Sequence, residues 1–133
     1  MSLSGKVAIV SGAAQGLGRA FATRLAKEGC VVLGFDVKKE VLDVAGVTGL
    51  VADVAKRADV ERVVSKAAEM GEIAVLVNNA GTWKKTPVDS GWQQALDDWD
   101  FIMDTNLKGV MMLSRAVVPL LQRNGGHIIN LST

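Results

Sequence analysis

The sequence predicts an α/β fold in which one parallel sheet is covered by helices on both faces. Two observations carry that expectation. Short β-branched runs alternate with segments of helical period almost from the first residue, and this β-α-β order continues with no linker and no internal repeat at solenoid period. The length agrees, because 133 residues suit one domain that buries about two thirds of its unfolded surface. A second domain is not expected.

Lys6 to Ser11 (KVAIVS) is an apolar run too short for a helix and reads as a fully buried strand. Glycines follow at once. From Gly16 the period turns helical, with Leu17, Phe21 and Leu25 at i, i+4 and i+8, and Gly29 after Lys27 and Glu28 is the expected left-handed stop. Val31 to Asp36 (VVLGFD) is the second strand; after a charged stretch, Gly49 to Asp53 (GLVAD) is a short third. Val60, Val63, Val64 and Ala67 mark the inner stripe of the next helix, which Gly71 closes. Ile73 to Asn78 (IAVLVN) is the fourth strand, and Asn79 to Gly91 has the Gly, Pro, Ser and Thr density of a loop. From Trp92 to Arg123 the signal is helical but interrupted, which predicts a break or kink near Asn106 and a bend at Pro119. Asn124, Gly125 and Gly126 then turn the chain into a fifth strand, His127 to Leu131 (HIINL).

Composition narrows the function classes. Hydrophobic residues at 49%, charged residues at 22% and 14 glycines beside 2 prolines exclude disordered, collagen-like and low-complexity chains. Fifteen Lys+Arg against fourteen Asp+Glu leave a formal charge of +1, so no basic surplus exists to neutralise a run of phosphates. Nucleic acid and membrane surfaces are therefore not expected as partners. The single cysteine, Cys30, has no internal disulfide partner, and Met1 to Lys6 contains no apolar h-region. The expected compartment is the cytoplasm. No apolar stretch approaches the roughly 18 residues that span a bilayer.

Gly12, Gly16 and Gly18 form a G-x-x-x-G-x-G turn between the first strand and the first helix. Such a turn lets backbone approach a pyrophosphate, whose charge is received by free N–H groups and the positive dipole end at the helix start. Glycines in this place also serve tight helix-strand packing, and the spacing departs from G-x-G-x-x-G. Asp36 strengthens the nucleotide reading. It ends the second strand about twenty residues past the glycines, where an acid accepts hydrogen bonds from both adenosine ribose hydroxyls. The same carboxylate repels a 2′-phosphate, and neither Gln15 nor Val37 offers a cation to offset this, so NAD is favoured over NADP. Lys38 and Lys39 keep NADP open, against the reading of two lysines in a solvated turn.

These residues resemble the short-chain dehydrogenase/reductase family, through essentially the whole chain. The resemblance is carried by Ser11-Gly12-Ala13-Ala14-Gln15-Gly16-Leu17-Gly18, Asp53-Val54, Asn78-Asn79-Ala80-Gly81, Asn106-Leu107 before Gly109, and Gly126-His127-Ile128-Ile129-Asn130-Leu131-Ser132. It implies a three-layer Rossmann-type doubly wound parallel sheet of strand order 3-2-1-4-5, truncated after the fifth strand. It also implies that the turn with Gly12, Gln15, Gly16, Leu17 and Gly18 binds the cofactor diphosphate, that Asp36 binds the adenosine ribose, and that Asp53 and Val54 border the adenine. Asn79, Ala80 and Gly81 would line the cofactor cleft. Asn106 matches the asparagine of the family's catalytic tetrad, whose backbone holds a water in a proton relay.

Several positions keep a plainer reading beside the functional one. Asp53 could cap the following helix, and Asn78 is read as bracing the sheet. Trp83 is open between substrate contact and covering apolar surface, while Trp92 and Trp99 are read as packing residues. Asp97, Asp98 and Asp100 are expected near a helix start, serving its dipole rather than a metal.

The family pattern also fails in one respect. Hydride reduction of a ketone needs a proton and hydrogen bonds at the former carbonyl oxygen, which the family supplies with Ser, Tyr and Lys. The serine position aligns with Thr133, whose hydroxyl can still donate and accept, but the chain contains no tyrosine. The family's lysine, which lowers a phenol pKa from about 10, has no counterpart here. His127 does not replace them. It begins the fifth strand, and six residues at about 3.3 Å separate it from Thr133 by roughly 20 Å.

The resulting expectation is the amino-terminal, cofactor-binding half of an NAD-dependent oxidoreductase acting on a secondary alcohol or ketone, inactive as an isolated chain. A non-catalytic dinucleotide-binding or regulatory module is the alternative. A homo-oligomer is expected, because a fifth strand left at the sheet edge is a template for association.

Overall fold

In the computed structural model, which describes residues 2–132, five parallel strands form one sheet of order β3-β2-β1-β4-β5. The strands are β1 (Val7–Ser11), β2 (Val31–Asp36), β3 (Thr48–Val51), β4 (Ile73–Asn78) and β5 (His127–Asn130), and the main helices are α1 (Gly16–Lys27), α2 (Arg57–Met70), α3 (Trp92–Met103) and α4 (Gly109–Asn124). A short 3-10 turn at Lys39–Asp43 precedes β3. The expected strand order is observed.

Alternation along β1 divides the core. Val7 and Ile9 pack with Val60, Val63 and Ala67 of α2 and Leu113, Val117 and Leu121 of α4. Ala8 and Val10 pack with Ala22, Phe21 and Leu25 of α1 on the opposite face. Each fully buried aliphatic side chain contributes about 1.5–3 kcal/mol, and β1 and β4 are buried throughout. That double coverage is why their sequences read as continuous apolar runs.

One strand boundary differs from the sequence reading, and the irregular helical stretch takes a definite form. Asp53 lies beyond β3, because its Oδ1 accepts the Ala55 N–H at 2.9 Å and turns the chain. Near Asn106 the chain stays helical: Asp104–Lys108 forms a π turn joining α3 to α4. The extra residue is absorbed by a wider turn, a feature frequent at functional sites. Helix α4 also continues through Pro119. Pro119 and Arg115 are both exposed, so the carbonyl that loses its N–H partner faces water.

The tryptophan and acid readings need correction as well. Trp92 and Trp99 are 84% and 63% exposed, so they are not packing residues; with Leu96 they form an uncovered stripe on α3. Asp97 lies at the middle of α3 and Asp98 and Asp100 in its second half, and the first turn has no acid. They do not serve the helix dipole at its start. Asp98 is instead only 1% exposed.

Candidate dinucleotide cleft

Parallel strands bring their carboxyl ends to one edge of the sheet, where ligands of such folds sit. A cleft of about 520 Å3 opens there. Its wall includes Gly12, Gln15 and Gly16 after β1, Asp36, Val37 and Lys38 at the end of β2, Ala52, Asp53 and Val54 after β3, and Asn79 to Trp83 after β4. Phe101 and Thr105 complete it from the α3 side.

The turn after β1 is held in an unusual backbone conformation, with φ +65° at Gly12 and +58° at Gly16. Side-chain-bearing residues rarely adopt it. Helix α1 begins with no side-chain cap and no acid in its first turn. Its N-terminal N–H groups therefore face the Gly16 side of the cleft without a competing carboxylate, a fit for an anionic diphosphate. Gly18 does a different job. A Cβ there would collide with the Gly12 carbonyl oxygen, so it permits close packing rather than lining the cleft. Leu17 is 65% exposed and also lies outside the cleft wall.

Asp36 is bonded on both oxygens. Oδ2 accepts the Ala14 N–H at 3.0 Å and Oδ1 the Lys38 N–H at 3.1 Å. A carboxylate offers about four acceptor positions, so capacity remains for two ribose hydroxyls. Lys38 also donates from Nζ to Gln15 Oε1 at 3.0 Å. The cation that Gln15 and Val37 lack thus reaches the cleft from Lys38.

The junction of β1 and β4 is built on a serine that sequence reasoning did not single out as a site residue. Ser11 Oγ accepts the N–H groups of Asn79 and Ala80 at 2.9 and 2.8 Å. The Asn79 side chain donates to the carbonyls of Ser11 and Gly12. Its signal was a lone polar residue ending a buried apolar run. Asn78, in turn, donates to Ser114 Oγ and Asn130 Oδ1, bracing the sheet as expected.

Asn106 does not line the cleft; its side chain grips the loop that does. Oδ1 accepts the Thr82 N–H at 2.7 Å and Nδ2 donates to the Thr82 carbonyl at 2.9 Å. Farther along the same loop, Thr86 Oγ1 donates to Asp98 Oδ2 at 2.8 Å, and Lys84 Nζ lies 3.4 Å from Asp98 Oδ1. Hydrogen bonds from Gln94 and Thr86, with the Lys84 charge, hold the Asp98 carboxyl below its ordinary pKa against the opposing cost of burial. Gln94, four residues before it, was the available sequence signal.

Asp53 does not cap α2, whose N-cap residue Lys56 makes no side-chain bond. Its N–H donates to Asp59 Oδ2 at 2.8 Å. That bond leads the causes holding the Asp59 carboxyl below its ordinary pKa, followed on the lowering side by Arg62. Thr133 lies outside the described residues. His127 begins β5, opposite Val75 and three residues before the Asn78–Asn130 pair, at the far end from the cleft. Among the described residues no group of three His, Cys, Asp or Glu could hold a metal, and no helix is long and apolar enough to cross a membrane.

The family model described as short chain dehydrogenase matches residues 6–133. The chain belongs to the short-chain dehydrogenase family. It is 37% identical, over its full length and 57% of the relative, to 3-oxoacyl-(acyl-carrier-protein) reductase FabG of Thermotoga maritima. It is 35% identical to 2-dehydro-3-deoxy-D-gluconate 5-dehydrogenase of Escherichia coli, covering 99% of this chain and 55% of that one. A crystal structure of a short-chain dehydrogenase/reductase from Burkholderia phymatum in complex with NAD superposes with a TM-score of 0.84 at 32% identity, covering 98% of this chain and 50% of the other. The short-chain dehydrogenase chain described here thus spans a little over half the length of these curated relatives.

Proposed function

We propose that residues 1–133 form the NAD-binding Rossmann domain of a short-chain oxidoreductase that exchanges hydride between nicotinamide and a secondary alcohol or ketone. One observation carries this reading. The uncapped start of α1 and the Asp36 carboxylate face one cleft at the carboxyl edge of the sheet. Gly12, Gln15 and Gly16 receive the diphosphate, with Leu17 and Gly18 shaping the first turn of α1 behind them. Asp36 takes the adenosine ribose, Asp53 and Val54 border the adenine, and Asn79, Ala80 and Gly81 flank the remainder. Bound NAD supplies the hydride acceptor.

NAD is favoured over NADP because a 2′-phosphate would meet Asp36 directly, and the Lys38 ammonium is already bonded to Gln15. Asn106 and Thr133 are the chain's contributions to the proton-handling groups. Without a tyrosine, the 133-residue polypeptide binds dinucleotide but does not turn over alcohol. Association into a homo-oligomer uses exposed apolar side chains of the π turn and α4 such as Leu107, Met111 and Val118. The compartment is the cytoplasm, consistent with one buried, unpaired Cys30.

Calorimetric titration of NAD and NADP, with an assay for alcohol-dependent NADH formation, tests this reading. Saturable NAD binding with weaker NADP binding and no NADH is expected. Absence of dinucleotide binding would overturn the reading, and NADH formation by the pure chain would overturn its inactivity.

A further inference from the structure

Among the described residues three aromatic side chains line the cleft, Phe35, Trp83 and Phe101. Phe35 is 1% exposed and belongs to the core. Phe101 already carries a cation, since the Lys84 ammonium sits 4.7 Å from its ring centroid. Trp83 is 78% exposed, so its indole is the open aromatic face on the cleft wall.

Strand order decides which half of the cleft this face serves. Across the sheet the order is β3-β2-β1-β4-β5. The cleft wall therefore runs from Asp53 after β3 and Asp36 after β2, past the glycine turn after β1, to the loop of Asn79 to Trp83 after β4. A dinucleotide with its adenosine ribose at Asp36 and its diphosphate at the glycine turn extends its other half toward that loop. The Asn106 side chain, assigned above to proton handling, makes two hydrogen bonds to the Thr82 backbone, one residue before Trp83. Trp83 thus belongs with the reacting end of the cleft and not with its adenosine end.

The loop is fixed on both sides of this residue. Asn106 holds it before, and buried Asp98 holds Lys84 and Thr86 after. An indole on a pinned backbone is preorganised, and ordering it on binding costs little. Asp98 and the Phe101 ring also take up the Lys84 charge, which leaves the indole to a cation from outside.

The two redox forms of the cofactor differ in that respect, because the oxidised nicotinamide ring is a cation and the reduced ring is neutral. Indole is the best side-chain face for a cation. Resting on the dinucleotide reading above, we infer that Trp83 receives the nicotinamide ring and favours its oxidised, cationic form over the reduced one.

Calorimetry of the 133-residue chain with NAD, NADH and ADP-ribose tests this. Trp83→Ala is expected to weaken NAD about fivefold, the scale of a cation–π contact at a partly exposed site. NADH loses less, so the ratio of NAD to NADH affinity falls about threefold, while ADP-ribose, which has no nicotinamide, stays within about twofold. Trp83→Leu behaves as Trp83→Ala, because it keeps apolar area and loses the π face, and Trp83→Phe retains part of the preference. In a Trp92→Phe/Trp99→Phe background, NAD quenches the remaining indole fluorescence and ADP-ribose does not. Equal losses for NAD and NADH in Trp83→Ala would overturn the inference, as would unchanged NAD affinity or an ADP-ribose loss as large as that of NAD. No binding of any of the three by the unmodified chain would overturn the dinucleotide reading itself.

Discussion

Asp36 Oδ2 accepts the Ala14 N–H at 3.0 Å, which ties the tip of β2 to the glycine turn after β1. The group proposed to hold the ribose and the turn proposed to hold the diphosphate are thus one bonded unit. Moving either moves the other, so the spacing of two ligand contacts is set before any ligand arrives.

Asp36→Ala is expected to raise the NADP-to-NAD affinity ratio at least about tenfold, because repulsion of the 2′-phosphate disappears while Lys38 remains in the cleft wall. Titration of both dinucleotides measures it. The freed Ala14 N–H also costs about 1–3 kcal/mol of stability, read as a lower denaturant midpoint. An unchanged ratio would mean that Asp36 does not face the ribose.

The two glycines that open α1 are expected to respond differently. At Gly16 nothing lies within 4 Å of an added Cβ, so Gly16→Ala carries only the left-handed strain of about 1–2 kcal/mol. At Gly18 the Cβ meets the Gly12 carbonyl and the Asn79 side chain, and backbone must shift. Gly18→Ala should therefore unfold at lower urea than Gly16→Ala and lose dinucleotide binding although it does not line the cleft. Equal midpoints would contradict the packing role.

Much of this arrangement was legible in the sequence. Strands with both faces buried leave continuous apolar runs, and the order of short runs and helical periods dictated a parallel sheet. The glycine turn and Asp36 were visible because a left-handed turn and a carboxylate at a strand end need particular residue types. What escaped was set by tertiary partners. Asn106 looked like an interruption, but a π turn absorbs it and its side chain is bonded 24 residues back, to Thr82. Asp98 looked like one acid among three, and only the packing of the 82–91 loop on α3 makes it a buried anchor. The exposure of Trp92 and Trp99 was equally invisible, since an apolar stripe at helical spacing reads the same whether or not anything covers it.

Asn106→Ala should loosen the Thr82 backbone without unfolding the sheet. Its two bonds lie at an exposed position, so the expected cost is about 1–2 kcal/mol or less. Faster amide exchange confined to the loop after β4, with protection of β1 and β4 retained, is the outcome to measure. Exchange rising across the whole sheet would contradict a local role.

Acid should release two anchors. The folded pKa values of Asp59 and Asp98 lie below their ordinary 3.8. Their stabilisation is therefore fully present above that value and is lost as pH falls through the depressed folded values. Unfolding midpoints should drop below about pH 4, and less steeply in Asp98→Asn, which carries no proton-linked term at that site. A parallel pH profile for the two proteins would contradict the assignment.

The most direct measurement is calorimetric titration of ADP-ribose into the 133-residue chain and into Asp36→Ala. The expected result is saturable binding to the unmodified chain and at least about tenfold weaker binding to the variant, since charge-assisted hydrogen bonds contribute about 1.5–3 kcal/mol each. Equal affinity in the two proteins, or no binding to either, would contradict the assignment of this cleft to the adenosine half of a dinucleotide.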